Sequence, residues 1–148
     1  MHEFSLPEFA DRMNEVMPVI IKEFARSQFN QLGQITLPQF LILGFLHKEG
    51  ESKMTGLARF LRVSTPAMTG IIDRLVRDGY AARESDSEDR RIIKISITSK
   101  GSQLVKKVME QRKKMVIKIF GKISEQDRKD YLRILLQIKE ILFKENQG

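Results

Sequence analysis

The chain has 148 residues, 41% of them hydrophobic, which is the size of one domain and enough for one buried core. It contains no cysteine, which excludes disulfides, thiolate metal sites, cysteine nucleophiles and thiol redox sensing. The net charge of +7 favours a polyanionic partner, and it is unevenly spread: residues 1–52 carry net −3, residues 53–101 net +4 and residues 102–148 net +6. No run of about 20 apolar residues offers a membrane span, and residues 1–9 lack the basic-then-apolar order of a signal peptide; a cytoplasmic protein with no membrane partner is expected.

Three helix starts pair a hydroxyl with a polar side chain three residues on: Ser5 with Glu8, Thr36 with Gln39, and Ser124 with Asp127, the last using Asp in place of Glu or Gln. After the first, Leu6, Phe9, Met13, Val16, Met17, Ile20, Ile21 and Phe24 recur at three- and four-residue steps, predicting a helix over about 6–28 with one apolar face. Residues 40–46 are apolar all round, which predicts a buried central helix ending near Gly50. A short helix through Leu57, Ala58 and Leu61, a turn at Arg62 and Val63, and a second helix opening at Ser64 follow. Met68, Ile71, Ile72, Leu75 and Val76 form the buried face of that second helix, and Gly79 closes it. Residues 80–84 and 93–97 change to the two-residue period of strands and read as a hairpin with a charged tip. From Ser99 the helical period returns, first with Leu104, Val105, Val108, Met109, Met115, Val116, Ile119 and Phe120. A last helix carries Tyr131, Leu132, Leu135, Ile138, Ile141 and Leu142.

Helix, turn, helix and hairpin in that order describe a winged helix-turn-helix, a mainly α fold with a small β-wing whose second helix enters the DNA major groove. The outward face of that helix fits the task. Thr65, Ala67, Thr69 and Gly70 are small enough for close approach to base edges, and Arg74 can reach a phosphate or guanine. Free backbone N–H groups behind Ser64 favour phosphate oxygens. At the wing tip Arg90 and Arg91 suit an adjacent minor groove, and Asp89 is expected to hold a neighbouring arginine by a charge-assisted bond. Catalysis is not expected. The only histidines are His2, near the terminus, and His47, which beside Glu49 and Glu51 reads as a cation near a helix C-terminus rather than a metal ligand. Neither cofactor nor metal is implied. The rival readings are a nonspecific architectural DNA-binding protein and a winged-helix protein-interaction module, but a nonspecific binder needs only positive charge, whereas Thr65, Ala67, Thr69 and Gly70 are neutral and shaped for base edges.

Leu57, Ala58, Leu61, Val63, Ser64, Thr69, Leu75, Gly79, Arg83, Asp86, Asp89, Arg90, Arg91, Ile95, Ile97, Thr98 and Gly101 form a spaced series that resembles the MarR family of bacterial and archaeal regulators. The resemblance implies a homodimer built from residues 1–35 and 99–148 around a winged lobe at 36–98, with a recognition helix at 64–78 and a wing at 83–97. It places Thr65, Pro66, Ala67, Thr69, Gly70 and Arg74 on the major groove and makes Asp89 and Arg91 a wing-tip pair. It further implies a pocket for a small anionic or phenolic effector that relieves repression, with Met13, Met17, Phe24 and Phe40 as walls. The apolar surplus of the outer helices fits burial against a second copy, and a twofold dimer presents recognition helices about 34 Å apart, matching a pseudo-palindromic operator. One departure is Gly56, where the family often has an acid; Thr55 is expected to offer a cap there. The absence of cysteine excludes the family's peroxide-sensing branch.

Overall fold

The computed structural model describes residues 4–32 and 35–147. Among them the order is α1 (Leu6–Leu32), α2 (Leu37–Glu49), β1 (Ser52–Lys53), α3 (Met54–Leu61), α4 (Thr65–Arg77), β2 (Ala81–Ser85), β3 (Ile93–Ile97), α5 (Ser99–Phe120) and α6 (Glu125–Glu145). The chain divides after Met109, inside α5, into two compact units.

The hydroxyl caps form as the sequence predicts. Gln39 N–H donates to Thr36 Oγ1 (3.4 Å) while the Gln39 side chain accepts from Thr36 N–H (3.0 Å), satisfying two donors at the start of α2. At α1, the Glu8 carboxylate accepts from Ser5 N–H (2.9 Å) and from its hydroxyl (2.8 Å). At α6, Asp127 N–H donates to Ser124 Oγ (3.1 Å), and the shorter Asp side chain accepts from the Ser124 hydroxyl (2.8 Å). α1 runs to Leu32, past the expected end near 28, and accommodates Pro18 at the loss of one intrahelical hydrogen bond.

The core of the first unit joins Ile42, Leu43 and Leu46 of α2, Leu57 of α3, Met68, Ile72 and Leu75 of α4, Ile95 of β3 and Val105 of α5, all fully buried. α2 is less enclosed than its composition predicts, since Leu37 and Leu41 are exposed. The sheet is antiparallel with order β1-β3-β2, and Ile95 lies opposite both Ser52 and Arg83. β1 has no counterpart in the sequence reading, because two residues are too few to show a period.

In the second unit, the C-terminal half of α5 turns into α6. Arg128 closes that turn by donating to the carbonyls of Phe120 (2.9 Å) and Ile123, and the Phe120 and Tyr131 rings stack 5.4 Å apart. No residue of α6 is buried. No described helix is long and apolar enough to cross a membrane.

Candidate nucleic-acid interface

The bend between α3 and α4 is made by Arg62, which adopts the left-handed conformation (φ 57°), and Val63 N–H donates to Ala58 O (3.1 Å). Ser64 caps α4 by accepting from Ala67 N–H (3.2 Å), and Pro66 falls in the first turn, where its missing N–H costs nothing. Thr55 lies inside α3 rather than capping it: the N-cap is Lys53, which makes no side-chain cap bond, so that expectation is corrected.

Met68, Ile72 and Leu75 anchor α4 in the core, with Ile71 and Val76 half-buried against it. The opposite side carries Ser64, Thr65, Pro66, Ala67, Asp73, Arg74 and Arg77, all exposed, and Thr69 and Gly70, half-exposed. A methyl group on Gly70 would meet nothing within 4 Å, so this glycine leaves free space outside the helix instead of serving internal packing. The Thr69 hydroxyl donates to Thr65 O (3.0 Å), so its proton is used within the helix.

The wing loop, residues 86–92, is closed by Asp86 N–H donating to Ile92 O (2.9 Å) and Ile92 N–H to Asp89 O (3.0 Å). Asp89 grips Arg91 three ways. Its Oδ1 accepts from the Arg91 backbone N–H (3.0 Å) and Nε (3.1 Å), and its Oδ2 from a terminal guanidinium nitrogen (3.3 Å). These bonds hold the Asp89 carboxyl below its ordinary range. The Arg91 side chain remains 91% exposed.

Several other cations are committed internally. Arg83 of β2 is paired with Asp73 of α4, tying the helix to the wing, and Arg77 is paired with Asp78 (3.1 Å). Sequence reasoning missed the Asp73–Arg83 pair because a ten-residue separation between two elements has no local periodicity. Arg74 and Arg90 make no ion pair among the described residues and stay exposed.

The end of α4 is joined to the start of α5. Lys100 Nζ donates to Asp78 O (2.7 Å) and lies 4.5 Å over the Tyr80 ring, while Thr98 Oγ1 donates to Gly79 O (2.6 Å). His47, in the last turn of α2, lies with Nδ1 3.1 Å from Ser102 Oγ. The described residues contain no group of three His, Cys, Asp or Glu side chains able to hold a metal. Of the four side chains expected at an effector pocket, Phe40 is a core residue, Met13 and Met17 are exposed on α1, and Phe24 is half-buried outside the core cluster.

Residues 35–93, which hold most of this helix-turn-helix and wing, match the model of the MarR family. The HTH-type transcriptional regulator YpoP of Bacillus subtilis is 31% identical over 112 residues, 76% of this chain and 72% of that protein. The chain belongs to the MarR family. MarR proteins are DNA-binding regulators of transcription, not enzymes, and the fold read from the sequence is theirs. The structure of Rv1404 from Mycobacterium tuberculosis, 26% identical, superposes with a TM-score of 0.83, covering 95% of this chain and 96% of that one. FabT of Streptococcus pneumoniae, solved in complex with DNA, shares the fold at 22% identity, with a TM-score of 0.80 over 91% of this chain and 98% of that one.

Proposed function

We propose that this MarR-family regulator is a sequence-specific, homodimeric repressor that leaves its operator when a small anionic or phenolic effector binds. The observation that carries the reading is the pairing of the small, neutral residues Thr65, Ala67, Thr69 and Gly70 on the outer side of α4 with a wing tip whose exposed arginine is held by Asp89. In the major groove, Thr65, Pro66, Ala67, Thr69 and Gly70 allow α4 to approach base edges, Ser64 and the open N–H groups at the helix start receive a phosphate, and Arg74 takes a phosphate or guanine. Arg90 and Arg91 enter the neighbouring minor groove, with Asp89 setting the direction of Arg91 and making no contact with DNA itself. FabT, a protein of the same fold solved with DNA, supports this use of the fold.

The dimer is supported by the apolar side chains that α1, α5 and α6 leave exposed, including Val16, Ile20, Ile117, Leu135 and Leu142. Effector binding at Met13, Met17, Phe24 and Phe40 shifts the dimer toward a spacing that mismatches the two half-sites. Selection from a pool of random duplexes tests specificity, repeated with Arg91→Ala. The expected product is a pseudo-palindrome with half-sites one turn apart, bound more weakly by the variant. Binding that only follows salt, with no motif, replaces this reading with an architectural one. A screen of benzoate and phenol derivatives for release of the selected duplex tests the effector.

A further inference from the structure

Lys94 stands in β3, the middle strand, opposite Lys53 of β1 and Glu84 of β2. Its ammonium lies 3.4 Å from Glu51 Oε1, in the turn before β1, and 3.8 Å from Asp86 Oδ1, at the base of the wing loop. Glu88 adds a third negative field, and the Lys94 side chain is only 29% exposed. A lysine flanked by two carboxylates within 4 Å is badly placed to meet phosphate, because the same carboxylates would repel the DNA.

Its two partners lie on separate structural pieces. Asp86 Oδ1 also accepts from Glu88 N–H (3.4 Å), and Asp86 N–H closes the loop onto Ile92 O. Glu51 directly follows the α2 C-cap, Gly50, so it belongs to the core-anchored part of the lobe. A two-stranded hairpin is weakly stable alone, and β1 supports this one over only two residues. The direction of the wing tip therefore depends on side chains at its base.

We propose that Lys94 is a positioning residue for DNA binding, bridging Asp86 of the wing to Glu51 beside the core so that Arg90 and Arg91 present in one direction. The inference rests on the DNA-binding reading above.

The test exploits sign. If only charge mattered, Glu51→Gln and Asp86→Asn would each tighten DNA binding by removing an acid; as parts of a bridge, each weakens it. For the selected duplex, Lys94→Met and Glu51→Gln are expected to weaken binding roughly two- to tenfold, the scale of one lost interaction. The slope of log affinity against log salt stays unchanged, and Lys94→Arg restores most of the affinity. A slope lowered by about one in Lys94→Met would mean a direct phosphate contact and overturn the proposal. Tighter or unaltered binding by Glu51→Gln overturns it too. Amide hydrogen exchange gives a DNA-free readout: residues 86–92 should exchange faster in Lys94→Met and Glu51→Gln while α4 stays protected, and unaltered exchange removes the bridge. If the wild-type protein selects no motif, specific DNA binding fails as a reading, and the exchange result alone decides whether Lys94 holds the wing.

Discussion

At the wing tip, one carboxylate and one guanidinium form a fork two residues apart, a spacing close enough to be foreseen from the residues alone. Asp89 is held below its ordinary value of 3.8 by the Arg91 side chain and then by the Arg91 backbone N–H. Because its folded pKa is depressed, its contribution to the turn is complete above about pH 4 to 5 and is lost only as pH falls through the folded value. Titration of the Asp89 carboxyl by NMR should give a midpoint below 3.8, and a midpoint at or above it would mean that the fork does not form in solution. Arg90 makes no ion pair among the described residues and is exposed, as the proposed DNA contact requires. Arg90→Ala should lower the salt slope by about one, whereas Asp89→Asn should weaken binding with no change in slope although it removes an acid. The Lys94 bridge has no comparable signature, because Glu51 is 43 residues away along the chain.

Two glycines separate what an element requires from what its neighbours require. Gly101 opens α5 against the Tyr80 backbone: an added Cβ would stand 2.2 Å from Tyr80 O and 2.8 Å from Ile97 Cγ1. Gly101→Ala is expected to destabilise the protein by about 1–3 kcal/mol, lowering the melting temperature, because backbone must move. Gly56, in α3, has open space at that position. Gly56→Ala should stabilise by roughly 0.5–1 kcal/mol through helix propensity, and thermal melts of the two variants should move in opposite directions. The helices and hairpin strands were legible because periodicity, caps and turn residues agree, with boundaries moving by only a few residues. β1 and the Asp73–Arg83 tie were illegible, since the first is two residues long and the second joins elements that only folding brings together.

For the whole molecule, an exposed apolar helix face lies on α6, where Leu135, Ile138, Ile141 and Leu142 are 41–56% exposed and nothing is buried. An apolar helix face of this kind is stable in water when covered, and a second copy is the proposed cover. Leu135→Asp with Leu142→Asp should shift sedimentation from dimer to monomer and weaken operator binding by an order of magnitude or more, since the two half-sites are no longer bound together. Retention of the dimer by that variant would move the interface elsewhere.

The sequence by itself determined the fold class, the positions of the recognition helix and wing, and the family, because each rests on short-range signals: apolar period, capping pairs, turn glycines and motif spacing. Tertiary structure decided which cations are paired inside the lobe and which stay exposed. It turned Arg83 toward Asp73 and Lys94 toward Glu51 and Asp86, and left Arg74 and Arg90 unpaired among the described residues. Charge at a position can be counted along the chain, but its availability depends on what the packed core brings within about 4 Å of it.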